Sequence, residues 1–358
     1  MRFCQYPFTR LEVHDNGDCY FCCEAWLPKP IGNIFQNSLA EIWNSKTAQE
    51  IRASILNDSF RFCQKDHCEH LQKNTLPVSY QSEVEEFHFL EILDQKLLVL
   101  DHGPTHFSAN FDKSCNLSCP TCRPEIFGQT MDQNPKLLAI HQKIFGLLPH
   151  LEHLKITGSG DPFASPYFSY LLKSIRTDDY PKLKILLQTN AQLLTPHRWN
   201  SLENIHRSFD TLDISIDAAT TETYAINRRG GSFQKICENL AFIRELRSQK
   251  KIQNLYLSFV VQKNNWREMA DFVRLATENN ADEVRFTRLK NWGTFDDKEF
   301  HERAVHLPNH TEHPLFLKEL EKDIFQDPRV NLSNLSVVYR PKLRIGSKDT
   351  IQPESFLQ

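Results

Sequence analysis

Short apolar runs alternate with amphipathic segments from residue 106 to residue 293. The runs are rich in β-branched or aromatic residues, as buried parallel strands tend to be. Strand and helix in alternation indicate βαβ units and a parallel sheet. The six predicted strands are HFSANF (106–111), HLKIT (153–157), LKILLQ (183–188), TLDISI (211–216), LYLSFVV (255–261) and DEVRFT (282–287).

Four amphipathic stripes between these runs predict helices, because their apolar residues recur at intervals of three or four. Six strands alternating with helices predict an α/β fold, either a full or partial barrel or an open doubly wound sheet. In each of these folds the functional site lies at the carboxyl ends of the strands. The stripes are Leu137, Ile140, Ile144, Leu147 and Leu148; Phe168, Leu171, Leu172 and Ile175; Phe233, Ile236, Cys237, Leu240 and Ile243; and Met269, Phe272, Val273 and Ala276.

The regions on either side of the alternating part differ from it. LEVHDNGDCYFCC predicts a strand pair with a turn at Asn16 and Gly17, and SLAEIWN and TAQEIRASIL predict two helical pieces. This N-terminal region lacks room for a self-sufficient core, so we expect a metal to stabilise it. The predicted organisation is a small cysteine-rich domain (1–75), a connector with some strand content (76–105), the barrel (106–293), and an amphipathic helix with a polar tail (294–358).

Composition narrows the class of partner. The chain has 358 residues, is 40% hydrophobic and 24% charged, and carries a formal net charge of −3. These values are ordinary for a soluble globular protein and do not call for nucleic acid or an anionic membrane. The N-terminus lacks an apolar signal segment, and no apolar run is long enough to cross a membrane. We therefore expect a cytoplasmic protein without a nucleic-acid or membrane partner.

The ten cysteines add candidate chemistry. In a chain without an export signal they argue against a disulfide framework and indicate metal ligands or redox groups. Cys237 stands alone on a predicted helical stripe, and we expect it to be an inert core thiol. The others form an N-terminal group, Cys4, Cys19, Cys22, Cys23, Cys63 and Cys68, and a second group, Cys115, Cys119 and Cys122.

The second group lies on a loop after the first predicted barrel strand, with the spacing Cys115-x3-Cys119-x2-Cys122. Three thiolates hold three corners of a [4Fe–4S] cluster and leave its fourth iron open, as catalytic metal sites require. A small molecule with an amine and a carboxylate could chelate that iron. The alternative is a zinc site completed by His102 or His106, although zinc favours a closed tetrahedron.

The stretch CNLSCPTC (115–122) resembles the CxxxCxxC signature of the radical S-adenosylmethionine (SAM) superfamily. The resemblance implies a partial (β/α)6 TIM-like barrel whose [4Fe–4S] cluster is bound by Cys115, Cys119 and Cys122. It also implies that SAM is cleaved by an electron from this cluster, and that the 5′-deoxyadenosyl radical so formed abstracts a hydrogen atom from the substrate. A flavodoxin or ferredoxin is the implied reductant.

Further stretches match the superfamily in the correct order: TGSGDPF (157–163) at the place of the GGE motif, QTNA (188–191) for TNG, SIDAATTETYAINRRGGSF (215–233), SFVVQKNN (258–265) and VRFTRL (284–289). The resemblance implies that Asp161 meets the methionine ammonium and Arg228 its carboxylate. Ser215 and Asp217 would lie near the ribose. The implied cofactor-binding residues are Gly158, Ser159, Gly160, Asp161, Asn190, Ser215, Asp217 and Arg228, and no residue is assigned to catalysis.

The N-terminal region resembles SPASM and twitch domains, which carry auxiliary iron–sulfur clusters. Cys4-x12-Gly17-x4-Cys22 fits the opening of their pattern, and IGNIFQNSLAEIWNS (31–45) resembles the stretch that follows. Here the domain precedes the barrel, whereas such domains normally follow it. A structural zinc site with four cysteines is the alternative. The implied ligands of one auxiliary [4Fe–4S] cluster are Cys4, Cys22, Cys63 and Cys68.

Cys22 and Cys23 are adjacent in the predicted hairpin, so their side chains face opposite sides and only one is expected to reach the cluster. The Gly-x4-Cys match favours Cys22. Cys19 and Cys23 are then left without a metal.

Three hypotheses for the function follow. The first is an oxidoreductase that modifies a peptide or protein, as in the maturation of ribosomally made peptides, because SPASM-like modules are common among such enzymes. The second is a dehydrogenase or epimerase of a sugar, cyclitol or other small metabolite, with Cys237, Cys19 or Cys23 as an epimerase's hydrogen donor. The third is an inactive metal-binding module, supported by Thr121 in place of an aromatic residue and by Asp161 in place of Glu.

Overall fold

The computed structural model describes residues 1–128, 135–156 and 159–337. The strands are β1 (Arg2–Cys4), β2 (Arg10–His14), β3 (Asp18–Tyr20), β4 (Gly32–Asn33), β5 (Val78–Tyr80), β6 (His106–Asn110), β7 (His153–Ile156), β8 (Lys184–Thr189), β9 (Phe209–Ser215), β10 (Asn254–Val261), β11 (Glu283–Arg288) and β12 (Val330–Asn331). The helices are α1 (Tyr6–Thr9), α2 (Leu39–Trp43), α3 (Lys46–Leu56), α4 (Glu69–Lys73), α5 (Phe87–Gln95), α6 (Pro135–Leu147), α7 (Pro166–Ser174), α8 (Pro196–Asn200), α9 (Thr221–Asn227), α10 (Phe233–Ser248), α11 (Met269–Glu278), α12 (Asp297–Arg303) and α13 (His313–Glu319).

Six parallel strands, β6 to β11, form the barrel wall in chain order. Each overlaps its predicted run to within two residues at either end, and Thr157 of the second run lies outside the described residues. The predicted α/β fold class, a partial (β/α)6 barrel with a small cysteine-rich N-terminal part, is confirmed. The described strands make one open sheet with β4 and β12 at its edges, next to a separate pair of β1 with β5.

The barrel strands place alternate side chains against the surrounding helices. In β10, Leu255, Leu257, Phe259 and Val261 are fully buried, and the residues between them are partly exposed and face the barrel interior. The four predicted helical stripes lie mainly on α6, α7, α10 and α11, and most of their apolar side chains are buried. Cys237 on α10 is half-buried and lies outside the apolar core, so its expected core position is wrong.

The N-terminal region joins the barrel through β2, which pairs in parallel with β6. β3 and β4 follow in antiparallel order, and Gly17 in the turn before β3 has a φ of +84°, which favours glycine. The predicted hairpin and the two helices, α2 and α3, are observed. The sequence pattern does not predict the parallel pairing, because the pattern of one strand does not identify its partner. The domain bounds stay a prediction; β5, inside the predicted connector, pairs with β1.

The N-terminal and C-terminal parts of the described chain also meet. Lys73 Nζ donates to the carbonyl oxygen of Ser333 at 2.7 Å, and Ser333 Oγ donates to the Glu69 carboxylate at 3.2 Å. Ser333 begins a short 3₁₀ helix that follows β12. These contacts therefore connect the N-terminal domain to the far edge of the barrel sheet.

The sequence pattern predicts one helix after residue 294, whereas the described residues up to 337 form two, α12 and α13. Helix α12 is short and mostly polar, and it begins after Asp296, whose carboxylate accepts a hydrogen bond from the Glu299 N–H at 2.8 Å. A hydrophobic pattern does not reveal such a helix. The predicted tail beyond residue 337 lies outside the described residues. Within the described ranges no helix has the length and apolar character needed to cross a membrane.

Two stacked histidines are expected to make the stability of the folded protein depend on pH. The rings of His106 and His153 lie 4.4 Å apart between centroids at the start of β6 and β7. Burial, followed by the charge of His153, lowers the pKa of His106 to about 3. An unfolded histidine has a pKa of about 6.5, so between pH 7 and pH 5 the unfolded chain takes up a proton that folded His106 does not.

We therefore expect the free energy of unfolding to decrease as the pH falls from 7 to 5. His106→Gln should remove on the order of 1 kcal/mol of that decrease, as measured by urea unfolding at both pH values. His301→Gln is the control, because His301 is exposed on α12. Equal pH dependence in His106→Gln and the wild type would contradict the assignment.

Candidate functional site

The loop after β6 carries Cys115, Cys119 and Cys122 at the carboxyl end of the barrel. The Cys115 N–H donates to the Phe127 carbonyl oxygen at 2.7 Å, which folds the loop back on itself. The N–H groups of Cys122 and Arg123 both donate to the Cys119 carbonyl oxygen at 2.9 Å. Cys119 is buried, Cys115 is half-buried and Cys122 is exposed. The structure thus places the three cysteines on one compact loop where the fold predicts a functional site.

Each of the three sulfur atoms has an N–H donor from a side chain. Such donors stabilise the negative charge of a metal-bound thiolate. They come from three segments that are far apart in the chain. The pairs are Asn190 Nδ2 with Cys115 Sγ at 3.7 Å, Arg228 Nη1 with Cys119 Sγ at 3.8 Å, and Arg123 Nη2 with Cys122 Sγ at 3.4 Å.

The loop after β7 packs directly on the cysteine loop at Gly160. A Cβ atom on Gly160 would lie 2.3 Å from the Asp112 carbonyl oxygen and 2.7 Å from that of Ser114, so only glycine fits without a shift. Ser159 Oγ donates to the carbonyl oxygen of Asn110 at 2.6 Å. The two loops therefore hold each other in place.

Asp161 ties three segments together below this contact. Its carboxylate accepts hydrogen bonds from Thr189 Oγ1 at 2.7 Å, from the Asn190 N–H at 2.8 Å and from the Phe163 N–H at 3.0 Å. Burial raises the pKa of Asp161, and these hydrogen bonds oppose the rise. Three groups of the protein thus donate to this carboxylate, and its role at the methionine ammonium stays a prediction. Gly158 lies outside the described residues.

Asp217 and Arg228 form a buried ion pair with an N–O distance of 2.8 Å. Asp217 follows Ser215 at the end of β9, has a φ of +59°, and accepts a hydrogen bond from the Val260 N–H at 2.7 Å. Burial raises the pKa of Asp217, and Arg228 opposes the rise. The same guanidinium contacts Cys119 Sγ, and its Nε is buried without a partner among the described residues. The pair thus orients a cation towards the cysteine loop.

Sequence reasoning missed two polar side chains of this site. Arg123 donates to the Cys122 sulfur, and Asn116 Oδ1 accepts a hydrogen bond from Asn190 Nδ2 at 3.0 Å. Asn116 lies within the cysteine motif and Arg123 directly follows it, so their position in the sequence could have indicated a role at this site. Their roles depend on where the loop folds, which spacing alone does not give.

The four cysteines predicted as auxiliary ligands line one pocket beneath the opposite end of the barrel. Cys22 lines the pocket and Cys23 is not among its lining residues, although both lie beyond the end of β3, so strand alternation is not what separates them. Cys19 is buried elsewhere, with its Sγ 3.5 Å from the Gly17 carbonyl oxygen. The ligand assignments themselves stay predictions. The residues lining the pocket include Cys4, Cys22, Cys63, Cys68, Tyr6, Trp26, Ile55, Phe60, His70, Leu71 and Val78.

The donor atoms of both sites suit iron–sulfur clusters. Burial raises the pKa of Cys63 to about 12 and that of Cys115 to about 11, so these thiols carry protons until a bound metal displaces them. Among the described residues, no three His, Cys, Asp or Glu side chains converge closely enough to hold a single metal ion. A cubane binds each thiolate at a different iron atom, so its ligands need not converge on one point.

Two family models match the chain. The model described as an iron–sulfur cluster-binding domain, SPASM, matches residues 4–69, and the model of the radical SAM superfamily matches residues 110–276. Together the matches include both cysteine sites. This chain has a radical SAM domain that is preceded by a SPASM domain. Its cofactors are accordingly SAM and [4Fe–4S] clusters in the two domains; the description of the SPASM family names iron–sulfur and not zinc.

Several solved radical SAM structures are similar. SuiB from Streptococcus suis bound to SAM is 16% identical, with a TM-score of 0.45 over 84% of this chain and 64% of SuiB. anSMEcpe with bound SAM is 18% identical, with a TM-score of 0.42 over 61% of this chain and 58% of anSMEcpe. The radical SAM chain described here thus spans less than two thirds of the length of either. No curated protein matches it.

Gly160 provides a test of the radical SAM site. We expect Gly160→Ala to lower the iron bound by Cys115, Cys119 and Cys122 several-fold, because the added Cβ pushes the two loops apart. Iron and sulfide analysis after anaerobic reconstitution measures the loss. Gly146→Ala is the control, since a Cβ at Gly146 on α6 meets no atom within 4 Å. Full iron content in Gly160→Ala would show that the loops do not need this contact.

Proposed function

We propose that this radical SAM enzyme is an oxidoreductase that modifies a peptide or protein, as in the maturation of ribosomally made peptides. The observation that carries the proposal is the placement of two cysteine sites at opposite ends of one barrel. The radical SAM loop follows the carboxyl end of β6, whereas Cys4 and Cys22 adjoin the amino end of the parallel strand β2. A substrate group in the barrel interior lies between them.

The barrel interior is polar at this level, which supports a polar substrate group. Glu12, Ser108 and Lys155 are cross-strand neighbours on β2, β6 and β7. On the other side of the interior, Arg285 Nη1 on β11 donates to the Asp213 carboxylate on β9 at 2.9 Å. Buried charges that are paired in this way form a rigid lining with defined hydrogen-bonding groups.

The bound cofactors supply the chemistry, and the chain supplies the positions. When bound, SAM and the reduced cluster supply a 5′-deoxyadenosyl radical that takes a hydrogen atom from the substrate. Asn190, Arg123 and Arg228 donate to the cysteine sulfurs, and Asp217 orients Arg228. Arg228 and Asp161 are the proposed contacts of the methionine part of SAM, and Ser215 is proposed near the ribose. The proposed role of the SPASM domain is electron transfer.

A peptide is favoured because SPASM-like domains are common among peptide-modifying radical SAM enzymes. A second candidate, oxidation of a sugar, cyclitol or other small metabolite, is supported by the single set of four auxiliary cysteines at one pocket, because one auxiliary cluster suits a two-electron alcohol oxidation. In the cysteine loop a side-chain N–H group donates to each of the three sulfur atoms, and this supports activity over the inactive alternative. We place the enzyme in the cytoplasm, with a flavodoxin or ferredoxin as reductant, because reduced clusters require a reducing compartment.

The two clusters are separable by mutation. The triple variant Cys115→Ala, Cys119→Ala and Cys122→Ala should keep about four iron atoms per chain, held by the auxiliary site. It should yield no 5′-deoxyadenosine from SAM and dithionite. Cys237→Ala is the control, because Cys237 is remote from both cysteine groups in the sequence and half-buried on α10. Cofactor cleavage by the triple variant would contradict the proposed radical SAM ligands.

The substrate class is tested by mass spectrometry. A peptide encoded beside this chain's gene should lose the mass of two hydrogen atoms, or gain a cross-link, when incubated with the enzyme, SAM and dithionite. The triple cysteine variant should leave the same peptide unchanged. If the enzyme leaves the peptide unchanged but oxidises a sugar or cyclitol that the products of neighbouring genes use, the second candidate, oxidation of a small metabolite, is favoured.

A further inference from the structure

Arg10 lies in the wall between the auxiliary pocket and the barrel interior. It begins β2, directly after helix α1, which carries Tyr6. Its guanidinium carbon lies 4.9 Å from the centre of the Tyr6 ring, and Tyr6 lines the pocket together with Cys22. The side chain is largely buried. One face of Arg10 is therefore turned towards the predicted auxiliary cluster.

Arg10 differs from the other buried arginine of this domain in the groups that its guanidinium meets. The guanidinium of Arg52 donates to the carbonyl oxygens of Pro7 and Leu98 and to Asn44 Oδ1. The guanidinium of Arg10 instead lies over the ring of Tyr6, which lines the pocket beside the cysteines.

The other side of Arg10 is turned towards the barrel interior. Its Nη2 donates to Glu12 Oε2 at 2.8 Å, and Glu12 Oε1 is 2.9 Å from His14 Nε2. Burial on its own would raise the pKa of Glu12, but the hydrogen bond with His14 and the charges of Arg10 and Lys155 lower it to about 2. Glu12 is therefore an anion that faces the substrate side of the wall.

The guanidinium is not saturated by its carboxylate partner. Its Nε is buried and has no hydrogen-bond partner among the described residues. Glu12 binds Nη2 alone in this arrangement. Glu12 therefore engages only one side of the guanidinium, in surroundings where charges interact strongly because little water is present.

We propose that Arg10 sets the reduction potential of the auxiliary cluster and couples it to the carboxylate of Glu12 in the barrel interior. Reduction adds one electron, and one negative charge, to the cluster. A fixed cation in the pocket wall stabilises the reduced state and raises the potential, whereas Glu12 opposes this effect. Arg10 acts through the cluster and is a positioning residue. The inference rests on the auxiliary cluster of the proposed function but not on the identity of the substrate.

The test is a potentiometric titration of the full chain in the triple Cys115/Cys119/Cys122→Ala background, so that one cluster remains. Mediator dyes and dithionite supply the electrons, and electron paramagnetic resonance follows the reduced cluster. Arg10→Gln should move the midpoint potential to more negative values. Arg10→Lys should retain most of the wild-type potential. Glu12→Gln should move the midpoint in the opposite direction, to more positive values.

Arg176→Gln is the control, because it removes an exposed cation that pairs with Asp179 on the barrel surface, away from the auxiliary pocket. Its midpoint should stay at the parent value. If Arg10 has only a structural role, Arg10→Gln should lower the melting temperature and leave the midpoint potential of the cluster unchanged. That result would overturn the proposal. If Arg10→Gln fails to retain iron, an unchanged midpoint in Glu12→Gln overturns it instead. Peptide modification by the wild type is measured separately, so the two proposals fail independently.

Discussion

The parallel pairing of β2 with β6 is the constraint on which the two-site arrangement depends. Five consecutive residue pairs, from Arg10 with His106 to His14 with Asn110, fix the SPASM domain to the first barrel strand. The side chains of a strand alternate between two faces, so a shift by one residue would turn Arg10 and Glu12 away from the interior. This register therefore sets which residues separate the auxiliary pocket from the barrel.

The same pairing explains why the two cysteine sites lie at opposite ends. Parallel strands share a direction, and the radical SAM loop leaves the carboxyl end of β6 while the auxiliary pocket forms at the amino end of β2. The contact of Lys73 with Ser333 then joins the SPASM domain to the last part of the described chain. The N-terminal domain thus acts as part of the barrel wall, although it precedes the barrel in sequence.

Electrostatics differ between the two sites in a way that fits their expected chemistry. At the radical SAM loop, Arg228 and Arg123 contact the sulfurs directly, and Asp217 balances one of these cations. At the auxiliary pocket, apolar side chains surround the thiols and Arg10 supplies charge from the wall. A cluster potential follows net charge, hydrogen bonds and exposure, so these surroundings predict distinct potentials for the two clusters.

The six barrel strands, the main helices and the two cysteine groups could all be predicted from the amino-acid sequence. Strand and helix periodicity and ligand spacing are local properties, so a single chain displays them directly. The folded chain was needed to show that β2 pairs with β6, that Asn190 reaches the Cys115 sulfur, and that Arg10 lies over the ring of Tyr6. These features are contacts between residues far apart in the chain. Their formation depends on which surfaces remain unpaired after the local elements have formed, and no local pattern records that.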